Sequence, residues 1–261
     1  GLSLSGPPIG LLPERARYGA LAARFARPPP AALQSTEYWL TVPLDWARPN
    51  QKMFEIRYHI DNSSFSSSST APIFVEMGGE GTSSGAYCSD VARKHRALCV
   101  SVEHRFYGKS VPAEGGVSTS NYRTGLYVEQ NLADTAAVID AVQASYAPSG
   151  AGLRPVINFG GSYSGATCAW FRQSHPSKSL GCVSSSGVVN ALLDFPQFDS
   201  HIAHALASPD GAACPAALHA AFLAIDQAFA AGLGSATKTK FNASNLVGTP
   251  HGDTDFFCEP S

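Results

Sequence analysis

A serine flanked by glycines, within residues 159–165, has the sequence context of a catalytic nucleophile. The segment is FGGSYSG, with Ser162 at its centre. The apolar stretch 155–159 directly before it favours a strand, and the run 166–173 after it favours a helix. A strand, a tight turn carrying serine and a helix form a nucleophile elbow, which presents a hydroxyl for attack on a carbonyl carbon.

The residues around Ser162 are small enough for the sharp turn that an elbow requires. Glycine or serine occupies positions 160, 161, 164 and 165, where larger side chains would collide. The start of the following helix would favour a developing negative charge. Ser164 stands where the pattern G-x-S-x-G has its second glycine, so the match is incomplete. A glycine-rich turn without chemistry is the alternative interpretation.

A second glycine turn, at residues 77–81, follows the apolar run 72–75. Backbone N–H groups in such a turn can point toward the elbow serine. We therefore expect the N–H groups of Gly79 and Tyr163 to form an oxyanion hole. An ordinary glycine turn is the alternative, and the elbow that follows in the appropriate chain order favours the catalytic interpretation.

Three polar groups could be mistaken for catalytic or metal-binding residues. His104 follows a buried strand within the run 103–108, but a catalytic base normally follows the nucleophile in chain order. We expect His104 and its neighbours to form a structural network instead. Asp134 is interpreted as a structural cap or surface group. The segment 251–255 (HGDTD) fits no standard metal spacing and is predicted to be a polar loop.

The composition is that of a globular protein with a substantial core. The chain has 261 residues, of which 44% are hydrophobic and 15% charged, and its formal net charge is −2. These values argue against a nucleic-acid-binding surface and a polybasic membrane patch. No apolar run approaches the ~20 residues that a membrane-spanning helix requires. We predict no metal and no other cofactor.

Cysteines and glycosylation sequons point to the secretory route. The six cysteines form no C-x-x-C pair, and N-x-S sequons occur at Asn62 and Asn242. Six cysteines allow 15 connectivities. The short-range pairs Cys88–Cys99 and Cys168–Cys182 are the two we suggest. No signal peptide is recognisable at Gly1, so a leader has been removed or lies outside this chain.

The pattern of apolar runs predicts an α/β fold. Residues 1–35 are rich in proline, alanine and arginine and are predicted to be an arm. Strands and helices alternate over 36–190, which indicates a mostly parallel sheet covered on both faces. Predicted strands cover 38–42, 53–60, 72–75, 97–102, 155–159 and 182–189, and predicted helices cover 84–95, 128–146 and 166–173; residues 63–70 are predicted to be a hairpin tip. Residues 191–261 are helical in pattern, at 198–207 and 212–232, and are interpreted as the start of a cap.

Several segments taken together resemble the prolyl carboxypeptidase-like serine peptidases. They occur in the family's order and near its spacing over residues 37–190. The matching segments are PLD at 43–45, PIF at 72–74, GGEG at 78–81, EHRFYG at 103–108, EQNLAD at 129–134, the elbow at 160–165 and AWFR at 169–172 with Pro176. Ser164 and Gly79 depart from the family's usual residues, but neither change removes a backbone donor.

The resemblance implies an α/β-hydrolase core with an inserted helical cap, in a secreted or lysosomal (vacuolar) glycoprotein that cleaves peptides next to proline, near their ends. Ser162 matches the nucleophile, and Tyr163 with the 78–81 turn matches the oxyanion region. The implied partner is a peptide substrate, with no nucleic acid and no membrane span. Oligomeric state is open, with a homodimer among the options.

The family's catalytic Asp and His have no matching residues in this chain, because they follow the cap. We therefore expect an incomplete or degenerate chain that lacks the later sheet strands and is unstable and nearly inactive alone, with an uncovered sheet edge near 182–189. Two other functions remain open. The hydrolase core could serve as a non-catalytic secreted scaffold, or the protein could be another serine hydrolase, such as an esterase or serine carboxypeptidase.

Overall fold

The computed structural model describes residues 35–50, 52–68, 70–146, 152–207, 214–249 and 252–253. The chain divides into two compact units, Gly1–Ala191 and Leu192–Ser261. The arm predicted at 1–35 lies outside the described residues except for Ser35. The first unit contains the sheet and the elbow, whereas the described part of the second unit is helical.

One six-stranded sheet forms the centre of the first unit. Its spatial order is β1-β2-β4-β3-β5-β6. The pairs β1–β2 and β2–β4 are antiparallel, whereas β4–β3, β3–β5 and β5–β6 are parallel. The strands are β1 (Thr36–Pro43), β2 (Met53–Asp61), β3 (Ile73–Glu76), β4 (Leu98–Val102), β5 (Val156–Gly161) and β6 (Gly181–Ser185).

Helices connect the parallel strands, as a crossover connection requires. The helices of the first unit are α1 (Ser89–His95), α2 (Thr119–Gly125), α3 (Val128–Tyr146) and α4 (Ser162–Ser174). Those of the second unit are α5 (Gln197–Leu206), α6 (Cys214–Ala230) and α7 (Gly234–Lys240), followed by a 3₁₀ turn at Ser244–Leu246. No helix among the described residues is long and apolar enough to cross a bilayer.

The central strand β3 is buried on both faces, as its unbroken apolar run predicts. Ile73 and Val75 belong to the larger core cluster, which also contains Val138 and Ile139 of α3. Phe74 points to the opposite face and packs in a smaller cluster with residues around α1. Side chains alternate between the faces because the strand repeat is two residues. The sheet is therefore the middle layer of an α/β fold, which confirms the predicted fold class.

Most predicted elements are confirmed, and the differences have local causes. The predicted helix at 84–95 begins only at Ser89, because the backbone N–H groups of Ser83 and Tyr87 donate to the carboxylates of Glu103 and Glu76 instead. The strand predicted at 182–189 ends at Ser185. The segment 63–70 is not a hairpin tip, since β4 lies between β2 and β3. Helices α2 and α7 were not predicted.

Two disulfides stabilise the first unit, and both predicted pairs are confirmed. Cys88 and Cys99 connect the start of α1 to β4, with a Cα–Cα distance of 5.6 Å. Cys168 and Cys182 connect α4 to β6, with a Cα–Cα distance of 5.8 Å. The second bridge anchors the helix that begins at the elbow to the neighbouring strand.

Candidate active site

Ser162 lies at the junction of β5 and α4, where a nucleophile elbow places its serine. It is the first residue of α4 and is solvent-exposed. Its φ is 56°, in the left-handed region that non-glycine residues rarely occupy. Such a conformation has an energetic cost and persists only where the surrounding structure enforces it. The backbone of the elbow therefore holds Ser162 in a strained turn that directs it outward.

Two glycines make the turn at Ser162 possible. A Cβ atom added to Gly160 would overlap the backbone carbonyl of Ser164. A Cβ atom on Gly165 would lie 2.9 Å from the Cα atom of Gly187 and 3.1 Å from the carbonyl oxygen of Ser185. At both glycines another backbone segment lies where a Cβ atom would be, so only glycine fits there.

Ser164, the departure from the usual elbow pattern, caps the helix. Its hydroxyl donates to the carbonyl oxygen of Gly161 at 2.8 Å, and its Oγ lies 3.1 Å from the Gly161 amide nitrogen, which donates to it. A side-chain oxygen that satisfies free backbone groups at a helix start contributes about 1 kcal/mol of stability. A glycine at this position could make neither bond.

The glycine turn after β3 lies beside the elbow. A Cβ atom on Gly78 would overlap the backbone at the end of β4, so glycine is required where the two segments approach. A Cβ atom on Gly79 would lie 3.7 Å from both Cβ and Oγ of Ser164. The structure therefore brings Gly79 next to the first turn of α4, which begins with Ser162 and Tyr163.

With the elbow after β5 and the glycine turn after β3, the first unit has the architecture of an α/β-hydrolase core. Strands β4, β3, β5 and β6 are parallel, and both turns follow the carboxyl ends of their strands. This is the edge at which open α/β sheets carry their sites. The two turns lie together because β3 and β5 are hydrogen-bonded neighbours.

His104 contacts Tyr163, the residue after Ser162. Its ring is buried, with Nδ1 2.7 Å from the carbonyl oxygen of Arg105 and Nε2 3.1 Å from the hydroxyl of Tyr163. Burial lowers the pKa of His104, which favours the neutral ring. In the neutral ring, Nδ1–H donates to the Arg105 carbonyl, and Nε2 accepts a hydrogen bond from the Tyr163 hydroxyl. His104 therefore supports the side chain of Tyr163, in keeping with the structural role expected of it.

Glu103 organises the loops around the site. Its carboxylate is buried and accepts from Arg57 Nη2 at 2.6 Å and from the Ser110 hydroxyl at 2.6 Å. It also accepts from the backbone N–H groups of Ser83 and Lys109, at 2.8 and 3.1 Å. One buried carboxylate thus connects β2, β4 and the segment after the glycine turn.

Asp134 has a structural role, as expected, but it is a buried residue and not the cap or surface group that the sequence suggested. It is buried in α3 and accepts from Arg105 Nε at 2.6 Å and Nη2 at 2.7 Å. Trp46 Nε1 donates to it at 2.8 Å. The remaining N–H groups of Arg105 donate to the backbone carbonyls of Pro43, Leu44 and Gly125. All five donors of a buried guanidinium are thereby satisfied.

A cavity of about 280 Å³ opens next to Tyr163. Its wall is formed by His104 and Tyr163 together with residues of the segments after β4 and before α3; the full lining is Glu80, His104, Tyr107, Leu126, Tyr127, Val128 and Tyr163. A larger cavity of about 470 Å³ is lined by residues 153–156 and 176–180, which precede β5 and β6, and by α3. It lies at the opposite ends of the strands from the elbow.

Other residues singled out in the sequence are not brought to this site. Within the described part of the first unit, no histidine or carboxylate is hydrogen-bonded to the Ser162 hydroxyl. Only residues 252–253 of the segment 251–255 are described; there, Asp253 pairs with Lys238 at 2.5 Å. Asn62 and Asn242 are both solvent-exposed. The described residues contain no group of three or more His, Cys, Asp or Glu arranged to hold a metal ion.

Sequence reasoning missed Glu80 and Tyr107 as parts of the cavity. Glu80 belongs to the glycine turn that was identified as an oxyanion element, and Tyr107 follows the polar run that includes His104. Their position directly after two buried parallel strands was an available signal, since the carboxyl ends of such strands meet at one edge.

Comparison with known proteins identifies relatives among serine peptidases. The serine carboxypeptidase S28 family matches residues 44–258. Thymus-specific serine protease of Homo sapiens is 31% identical over 235 residues, which are 84% of this chain and 44% of that protein. Probable serine protease EDA2 of Arabidopsis thaliana is 36% identical over 65% of this chain and 36% of its own length. Human lysosomal Pro-X carboxypeptidase is 38% identical over 38% of this chain and 20% of its own length.

The chain thus spans less than half of each of these relatives. Similar solved structures are hydrolases of low sequence identity. The peroxisomal α/β-hydrolase Lpx1 of Saccharomyces cerevisiae has a TM-score of 0.45 and 14% identity, covering 61% of this chain and 46% of that one. Brefeldin A esterase has a TM-score of 0.41 and 19% identity, covering 71% of this chain and 51% of that one.

Proposed function

The chain belongs to the serine carboxypeptidase S28 family, and we propose that the protein is a serine exopeptidase that cleaves peptides next to proline through an acyl-enzyme. The observation that carries this proposal is the strained, exposed Ser162 at the β5–α4 turn, with the Gly79 turn packed beside it. The human Pro-X carboxypeptidase among the relatives supports the preference for proline.

In the proposed mechanism, Ser162 Oγ attacks the carbonyl carbon of the scissile bond while its proton passes to a base. The carbonyl oxygen becomes an oxyanion that accepts from the N–H groups of Tyr163 and Gly79. The tetrahedral intermediate collapses, and the leaving amine takes up the proton as the acyl-enzyme forms. Water then attacks the acyl carbon, releasing the acid product and restoring the Ser162 hydroxyl.

In the described part of the first unit, no general base is hydrogen-bonded to the Ser162 hydroxyl. A serine hydroxyl without a hydrogen-bonded base is a weak nucleophile. We propose that a histidine and a carboxylate located elsewhere in the protein complete the site, and that the 261-residue chain alone turns over substrate poorly. Loss of a triad partner lowers kcat by roughly four orders of magnitude or more.

The remaining assignments belong to the same proposal. We propose that the second unit is the start of a helical cap that shapes the substrate pocket, and that the protein follows the secretory route to a lysosomal or extracellular location. The proposed secretory route is supported by two disulfides and by the exposed sequon residues Asn62 and Asn242. A relative named as lysosomal is consistent with it.

Active-site labelling tests the nucleophile. We expect a fluorophosphonate probe to label the full-length protein at Ser162, with the labelled peptide mapped by mass spectrometry. Ser162→Ala should abolish labelling and turnover of proline-containing reporter peptides, whereas Ser120→Ala, an exposed serine in α2, should leave both unchanged. Labelling that persists in Ser162→Ala would contradict the proposal.

Comparing substrates separates the alternatives. Prolyl-peptide turnover well above ester turnover supports the peptidase, and the reverse supports another serine hydrolase. A stable, monodisperse full-length protein that the probe never labels would instead support the non-catalytic scaffold.

A further inference from the structure

The cavity beside Tyr163 has the chemistry of a cation subsite. This cavity, here called the tyrosine pocket, is lined by Glu80, His104, Tyr107, Tyr127 and Tyr163. We propose that, in the peptidase inferred above, the tyrosine pocket binds a cationic group of the peptide substrate, with Glu80 as the residue that determines this specificity. The inference rests on the proposed function, because Tyr163 is both a wall of the pocket and the neighbour of Ser162.

Aromatic residues make up most of the pocket lining. The ring of His104 packs edge-on against Tyr107, with 5.3 Å between centroids, and tilted against Tyr163, with 5.6 Å between centroids. Tyr127 is half exposed. The face of a tyrosine ring attracts an ammonium or guanidinium group electrostatically, most strongly where water is partly excluded. The hydrogen bond between His104 and Tyr163 holds two of these rings in place.

Glu80 supplies a negative charge that no described residue of this unit neutralises. It is exposed and forms no ion pair or hydrogen bond with the described residues, in contrast to the buried Glu103, which pairs with Arg57. Its charge also acts on the pocket wall. Burial is the main cause that lowers the pKa of His104 and raises that of Tyr163, and Glu80 contributes an upward shift to both. Glu80 and the two rings line the same cavity.

Among the described residues, the pocket lining contains no lysine or arginine that could pair with Glu80. Burial lowers the pKa of His104, the remaining basic residue of the described lining, which favours its neutral form. An aromatic wall with one unpaired carboxylate favours a cation over an anion or a neutral group. The free α-ammonium of a peptide and a basic side chain share this chemistry.

Matched reporter substrates test the proposal on the full-length protein. We would compare Ala-Pro-p-nitroanilide with its N-acetyl form, and N-acetyl-Lys-Pro-p-nitroanilide with the N-acetyl-norleucyl form. We expect kcat/KM for at least one cationic substrate to exceed that of its neutral match by about tenfold. Glu80→Gln should remove that preference, so that kcat/KM for each cationic substrate becomes equal to that of its neutral match.

The control variant is Glu55→Gln, which removes the same charge from an exposed position on β2 and should leave the preference intact. Loss confined to the first substrate pair identifies the α-ammonium as the ligand, and loss confined to the second identifies a basic side chain. Either result supports the subsite. No preference in the wild-type protein, or an equal loss on all substrates in Glu80→Gln, would overturn it.

Equilibrium binding separates this inference from the proposed function. The same peptides titrated into the Ser162→Ala protein should bind more tightly when cationic, and the difference should shrink with added salt. This measurement remains valid if the protein turns over none of the reporters, a result that would refute only the proposed function. Equal binding of cationic and neutral peptides would refute the subsite alone.

Discussion

The Nε2 atom of His104 lies 3.1 Å from the hydroxyl of Tyr163, 59 residues further along the chain. This contact connects the end of β4 to the first turn of α4, directly after the candidate nucleophile. Tyr163 contributes its backbone N–H to the proposed oxyanion hole and its ring to the tyrosine pocket. The hydrogen bond from Tyr163 to His104 therefore holds in place a residue that belongs both to the elbow and to the proposed subsite.

Removing the Tyr163 hydroxyl should weaken this support without disabling the nucleophile. In Tyr163→Phe, the buried Nε2 of His104 loses its partner, and we expect the free energy of unfolding to fall by about 1–2 kcal/mol. We expect kcat to fall several-fold, while fluorophosphonate labelling of Ser162 persists. Urea denaturation and steady-state kinetics measure the two effects. Tyr122→Phe, whose hydroxyl bonds to no described residue, is the control; equal losses in both variants would contradict the assignment.

The elbow should tolerate a methyl group at one glycine and not at its neighbour. In Gly160→Ala, the new Cβ would overlap the Ser164 carbonyl, and we expect destabilisation of about 3 kcal/mol or more. In Gly161→Ala, the nearest atom would be the Ser185 carbonyl oxygen at 3.7 Å, and the cost should stay below about 1 kcal/mol. Thermal or urea denaturation of the two variants measures this difference in stability. Similar stabilities for the two variants would show that the turn is looser than the structure indicates.

The buried pair between Arg105 and Asp134 should be essential for stability. Asp134→Asn leaves a fully buried guanidinium without its counter-charge, and we expect a loss of about 3–5 kcal/mol. Asp90→Asn breaks the exposed pair with Arg93, at 2.8 Å, and should change stability by less than about 0.5 kcal/mol. Both are read from urea denaturation midpoints. A small effect of Asp134→Asn would mean that the backbone carbonyls around Arg105 suffice to hold it.

Glu76, at the end of β3, should make stability depend on pH. Burial raises its pKa from 4.5 to about 7, despite hydrogen bonds from Ser101 and the Tyr87 N–H. Between these values the folded state binds more protons than the unfolded state, so stability falls as pH rises from 4.5 to 7 and stays low above it. At ~1.4 kcal/mol per pKa unit, the penalty reaches at most about 3.5 kcal/mol.

The variant Glu76→Gln removes this penalty. We expect it to be more stable than the wild-type protein at pH 8 and to lose that advantage at pH 5, as measured by urea denaturation at several pH values. Glu55→Gln, at an exposed position, corrects for the loss of one charge. A stability difference between Glu76→Gln and wild type that does not change with pH would contradict the raised pKa.

The fold was largely predictable because its main elements have strong local patterns. Helix α3 covers Val128–Tyr146, as its apolar repeat predicts, and β3 was recognisable from its unbroken apolar run. The start of α1 was not predictable from local pattern, since the segment before it donates to the carboxylates of Glu76 on β3 and of Glu103, which directly follows β4. Strand neighbours depend on the whole sheet, which is why the segment 63–70 was mistaken for a hairpin tip.

The sequence alone identified the candidate nucleophile and the glycine turns, because each depends on residues close together in the chain and on backbone geometry that only small residues allow. It suggested the two short-range disulfides, and the structure fixed the pairing. Tertiary structure alone decided which charges are buried and what neutralises them. It placed Asp134 against Arg105 and His104 against Tyr163. It also placed Glu80 in the lining of the tyrosine pocket, where none of the described residues forms an ion pair with it. Burial and charge pairing arise when distant segments meet, and no local spacing encodes them.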